Sequence, residues 1–344
     1  MKLFTLARWM GTLIITTCLL LSIGCSELED ESEPMISPSP ANDIQPDYSS
    51  VECGTSEDCA LLGDELVDRI REQFGDLLTD YITDEIGRTL EEQELVIYEL
   101  DGDVLVNPQF IDVDDTYAAF RDDQDKHREV WEMFRQLIPE QARSLLSGFI
   151  IFTDGHDGTL AHVEPDTNDS NQWLLAVDIM DADESMALKA TLLHEFAHLL
   201  TLKNEQMDMN EEVLLAEKDN PIHAIAEEAC AYYFVYGMGC MKEASYLNQF
   251  YSQFWTDIAD EWRERGVEGD EDALEKFYGD YEHSFVTEYA ATSPEEDIAE
   301  TWTYFILSPQ TAGNEVWEQK IRFFHQYPEQ LQLRVDILKR LLTY

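Results

Sequence analysis

The sequence predicts an α+β fold: a small mixed sheet with helices, followed by a mainly helical half. Three observations predict it. Short β-rich runs cluster between residues 95 and 179, a leucine-rich helical pattern starts near residue 185, and everything beyond it reads at helical spacing. At 344 residues the chain is long enough to bury a substantial core.

Lys2 and Arg8 form a positive start ahead of the apolar run WMGTLIITTCLLLSIG, residues 9–24. That run is short of the roughly 20 residues a membrane span needs. It ends in LSIGC, which resembles a bacterial lipobox, although serine stands where leucine is usual. Residues 1–24 then read as a lipoprotein signal peptide, with Cys25 the residue that is lipidated; an uncleaved anchor or plain secretion is the alternative. Residues 25–50 are rich in Ser, Pro and acidic side chains and read as a disordered tether.

The body, 51–344, divides into a sheet-containing part, 51–204, and a helical part, 205–344. Leu66, Ile70, Phe74, Leu77 and Leu78 recur at helical spacing within 62–87. LVIYELDGDVLV (95–106) is a hairpin about an Asp-Gly pair. A helix over 123–137 stops at Pro139, and FIIFTD (149–154), TLAHVEP (159–165) and WLLAVDI (173–179) read as strands. Past the leucine-rich helix, helices are expected over about 221–238, 241–264, 270–283, 293–307 and 313–342, with no strand among them.

Acidic residues outnumber basic ones 72 to 22, a formal charge of -50. Phosphate binding needs clustered Lys and Arg, so nucleic acid is excluded as a partner. Docking of the folded body on anionic lipid is disfavoured too, which leaves the N-terminal anchor as the membrane contact. Acidic clusters make Ca2+ a secondary cofactor candidate, but no segment has EF-hand spacing, and DGHDG (154–158) is too short for one.

An exported body meets an oxidising compartment. Apart from Cys18 and Cys25 it holds Cys53, Cys59, Cys230 and Cys240, which allow three pairings. The local pairing, Cys53 with Cys59 and Cys230 with Cys240, is the expected one; buried free thiols are the alternative.

TLLHEFAHLLTL (191–202) sets His194, Glu195 and His198 among leucines. Buried polar groups cost roughly 1–3 kcal/mol each unless satisfied. The two histidines, four apart, share one helical face and can both reach one zinc ion at about 2.0–2.1 Å. Glu195 lies beside that ion, where a carboxylate can take a proton from water that zinc has made acidic. A third ligand is still needed. Glu227 or Glu228, in HAIAEEACAYYF (223–234), is one source; Glu296, in YAATSPEEDIAETW (289–302), is the other, with Glu300 one turn on. Ser293, Pro294 and Glu296 also fit a capping box, which would explain Glu296 without any metal.

The Tyr-x6-Glu-x-x-Ala-Glu pattern after His-Glu-x-x-His resembles the zinc peptidases related to lethal-factor toxin protease. It is still more similar to a broad group of bacterial zinc-dependent metallopeptidases ending in Glu-Asp-Phe-Ala-Glu. Ile298 stands here where phenylalanine is usual, and the separation of His198 from Glu296 is longer than in the toxin protease, which implies an inserted helical region. The resemblance implies a zincin-like domain of the gluzincin plan, with Glu296 as third zinc ligand, Glu300 behind a ligating histidine, and Tyr289 donating its hydroxyl to an oxyanion. It also implies that an edge strand, TLAHVEP or FIIFTD, binds extended peptide. The expected protein is a membrane-anchored, extracytoplasmic zinc metallopeptidase acting on peptide or protein substrates. The alternative is a non-catalytic surface lipoprotein of the same fold that binds a cell-wall component or a partner protein.

Overall fold

Five strands form a mixed sheet: β1 (Gln93–Asp101), β2 (Val104–Phe110), β3 (Leu146–Thr153), β4 (Ala161–Pro165) and β5 (Trp173–Asp178), in the order β2-β1-β3-β5-β4. β3 runs parallel to β5, and every other pair in this sheet is antiparallel. The expected hairpin joins β1 to β2, with Gly102 at φ 61° in its turn, a backbone conformation that glycine adopts without a Cβ clash. β3 is buried almost throughout, as its unbroken apolar run requires in a central strand. Of the two runs considered as a peptide-binding edge, FIIFTD is therefore interior, and β4 alone lies at the margin.

The computed structural model describes residues 51–78, 92–156, 158–182 and 186–343, all within one compact unit. The signal segment, the tether and Cys25 lie outside the described residues. Among the described residues no helix is long and apolar enough to cross a membrane.

Helix α1 (Ser56–Phe74) starts earlier than the periodicity suggests, because Thr55 Oγ1 accepts the Asp58 amide at 3.1 Å and caps it. It ends at Gly75, φ 85°, and residues 79–87 of the expected span lie outside the described residues. A short α2 (Asp115–Asp122), not expected, precedes α3 (Gln124–Leu137), which stops before Pro139 as expected. α1 packs on the last helix through buried Arg334, which reaches Asp64 at 3.0 Å; a Cβ at Gly63 would stand 2.7 Å from its guanidinium. Helix α4 (Met186–Leu202) carries the leucine-rich segment and, apart from Thr191, is buried from Leu188 to its end. It lies against β4 and a long helix near the C-terminus.

The second half is not wholly helical. β6 (Met207–Met209), α5 (Glu211–Leu214), α6 (Ile222–Ala229), β7 (Phe234–Val235) and β8 (Gly239–Met241) follow α4: of the helix expected over 221–238 only the first half forms, as α6, while β7 takes its end and joins a small antiparallel sheet, β6-β8-β7. Gly237, φ 76°, turns β7 into β8, and a Cβ at Gly239 would collide with the Asp208 carbonyl. Both local disulfides form, Cys53–Cys59 and Cys230–Cys240, with Cα separations of 5.0 and 5.5 Å. Five helices, α7 (Tyr246–Phe254), α8 (Ala259–Arg265), α9 (Glu271–Tyr281), α10 (Pro294–Leu307) and α11 (Val316–Phe323), lead to α12 (Pro328–Leu342). The expected 313–342 helix breaks because Pro328 disfavours helical backbone at Tyr327, which sits at φ -108°, ψ 106°.

Candidate metal centre

α4 and α10 pack directly together, and every central polar group lies between them. His194, Glu195 and His198 are all buried on α4, and their ligand atoms lie within 4.8 Å of one another. The rings of His194 and His198 sit 4.8 Å apart, centroid to centroid.

Glu296 reaches this pair from the first turn of α10. Its Oε2 stands 3.0 Å from His194 Nε2 and 3.4 Å from His198 Nε2, and the two Nε2 atoms are 3.0 Å apart. Ligands on a tetrahedral ion at about 2.0–2.1 Å lie roughly 3.3 Å from one another. The triangle therefore has the size that one such ion requires. Ser293 does cap α10, accepting the Glu296 amide at 3.2 Å. The Glu296 carboxylate, however, is engaged with the imidazoles, so capping accounts for Ser293 and not for the glutamate.

Glu300, fully buried one turn on, sets the tautomer. Its Oε1 is 2.9 Å from His194 Nδ1, and a carboxylate can only accept, so Nδ1 carries the proton and donates it. Neutral His194 then presents a lone pair at Nε2, facing a carboxylate oxygen at 3.0 Å. Two acceptors at that distance need a cation or a proton between them. Without a metal the proton serves: burial opposes a charged imidazole, but the bonds and charges of Glu296 and Glu300 outweigh it and hold His194 well above the ordinary value. Burial likewise raises Glu296, and the two imidazoles overcome this and pull it far below the carboxylate range. The donor set of two imidazoles and a carboxylate fits a divalent ion. Among the described residues no second group of this kind gathers, and no place for calcium is assigned.

Thr287 was not apparent from sequence. Its hydroxyl donates to the second oxygen of Glu300 at 2.7 Å and accepts the Ala290 amide at 3.1 Å. A lone threonine before a tyrosine carries no recognisable signal. Asp297, next to Glu296, was missed as well: it is buried, accepts Trp255 Nε1 at 2.7 Å and pairs with buried Lys320. Lys320 Nζ also lies 4.1 Å from the centre of the Phe285 ring. This clamp fixes the first turn of α10, and with it Glu296.

A cleft of about 750 Å³ opens onto the centre, lined by Glu195, His198, Tyr289 and Glu296 among others. Tyr289 lies with its ring centre 5.9 Å from that of His194. Ala161, His162 and Val163 of the marginal strand β4 form one wall, and Tyr233 to Tyr236 on the disulfide-closed hairpin form another. His162 thus lines the cleft. Glu227 lines the cleft and Glu228 is exposed on α6; neither contacts the imidazoles, whereas Glu296 lies against both.

No protein-family model matches the chain, and no curated protein or solved structure matches it. The functional reading therefore stands on the geometry and chemistry of this centre.

Proposed function

We propose that the protein is a zinc metallopeptidase acting outside the cytoplasm from a lipid anchor at Cys25. The single observation that carries this reading is the meeting of His194, His198 and Glu296 around one point, with Glu195 beside them in an open cleft. A purely structural ion has no need of a cleft or of a further acidic group next to its ligands. Zinc suits the mixed nitrogen and oxygen donors and supplies Lewis acidity near neutral pH. Glu195 is the general base that takes the proton of the attacking water and passes it to the leaving amine. Glu300 and Thr287 hold His194 in the tautomer that keeps Nε2 free of a proton. Tyr289, on the cleft wall, donates to the developing oxyanion.

Strand β4 supports a peptide substrate. It has a partner strand on one side only and borders the cleft, so an extended chain can add to its free edge. Two disulfides agree with an oxidising compartment. The test is Glu195→Gln in the body from residue 51. It should abolish cleavage of a mixed peptide library while one zinc per chain is retained; retained cleavage would refute the role.

A further inference from the structure

We infer that Arg263 receives a carboxylate of the bound peptide, either the free C-terminus or an aspartate or glutamate side chain. The inference rests on the peptidase reading and names a specificity determinant for it.

The metal cleft continues into a second cavity of about 580 Å³; the two share Glu227, Tyr233, Phe234, Tyr251 and Arg263 in their walls. Among the described residues lining either one, Arg263 is the only lysine or arginine. The remaining charges of the cleft wall are carboxylates, with Glu92, Glu227, Glu268 and Glu295 added to those of the centre.

Contacts tie Arg263 to the centre. Tyr233 donates its hydroxyl to Glu295 at 3.0 Å, next to the ligand Glu296. Tyr233 stacks on Tyr251 with ring centres 4.3 Å apart, and Arg263 Nη2 donates to the Tyr251 hydroxyl at 3.0 Å. That bond orients the guanidinium. Its ion pair, to Asp260 one helical turn away at 3.0 Å, involves a carboxylate that is 94% exposed, so water screens it and a ligand can compete. Further N–H donors of the fork remain for a planar carboxylate, the group this geometry matches best. Away from the ion, the glutamates of the wall disfavour a carboxylate. Attraction at Arg263 and repulsion along the intervening wall together set the register of the bound chain.

Matched peptides test this. One neutral amidated parent is compared with its free-acid form, and with variants in which each asparagine in turn is exchanged for aspartate. Cleavage by the wild type and calorimetric binding to zinc-loaded Glu195→Gln are both measured. At least one carboxylate-bearing peptide should bind and be cleaved about tenfold better than the parent. That ratio should fall to near one in Arg263→Gln and recover in part in Arg263→Lys, with zinc content and melting temperature monitored as controls for folding. A gain confined to the free acid assigns the C-terminus, and one confined to an aspartate position assigns a side chain. If no carboxylate-bearing peptide exceeds the parent, or if the ratio survives in Arg263→Gln, the inference is wrong. If the wild type cleaves nothing yet Arg263-dependent binding persists, the peptidase reading falls and the role of Arg263 stands.

Discussion

His194 Nδ1 and Glu300 Oε1 lie 2.9 Å apart, buried, with Thr287 holding the other oxygen of the carboxylate. This contact decides which nitrogen of His194 is offered to a metal. Glu300→Gln should therefore weaken metal affinity by about 10- to 100-fold with the three ligands intact. Thr287→Val should have a smaller effect in the same direction. Competition against a chromogenic chelator measures both.

Metal binding should release a proton at neutral pH. In the metal-free chain His194 is held protonated well above the ordinary imidazole value of 6.5, so at pH 7 the incoming ion displaces that proton. Affinity should fall as pH drops, because protonation of His194 competes ever more strongly. Calorimetry in buffers of different ionisation enthalpy should give about one proton released per ion. No dependence on the buffer would contradict the assignment.

The Lys320–Asp297 clamp makes a stability test. Burial raises Asp297 to about 6 against the pull of Lys320, and burial likewise lowers Lys320, so each charge depends chiefly on the other. Lys320→Met should cost about 3–5 kcal/mol in urea unfolding, since it leaves a buried carboxylate unpaired. Lys320→Met combined with Asp297→Asn should recover part of the loss, and zinc affinity should follow, because the clamp sets the first turn of α10.

His325 should make the fold acid-sensitive. Burial, aided by the charge of Arg334, depresses it from 6.5 to about 4, and its ring packs edge-on against Phe305 at 5.0 Å. A depressed folded-state value means that its contribution is full above pH 6.5 and is lost as pH falls towards 4. His325→Phe should remove on the order of 2 kcal/mol of the stability lost between pH 7 and 4. Urea melts of the two proteins at both pH values check this.

The helix bearing His194, Glu195 and His198 was legible because leucines around two histidines four residues apart, with a glutamate between them, admit few other readings. The sheet strands were legible for a similar reason: β3 and β5 are long apolar runs. β6, β7 and β8 were not, since two or three residues hold no periodicity, and their pairing depends on Gly237, Gly239 and the Cys230–Cys240 link. α1 was placed too late and too long because Thr55 and Gly75, which bound it, lie outside or break the apolar pattern. The third ligand stayed open between Glu296 and Glu227 or Glu228 on local grounds. Only the packing of α10 on α4, across many intervening residues, brings Glu296 against the two imidazoles. Thr287, Asp297 and Lys320 act through partners distant in sequence and leave no local trace.

The proposed function depends on one divalent ion held by His194, His198 and Glu296, and elemental analysis of the purified, correctly processed protein tests that most directly. One zinc per chain is expected, absent from His194→Ala and weakly held in Glu296→Ala. A wild-type chain that is metal-free and cannot be reloaded with zinc would contradict it.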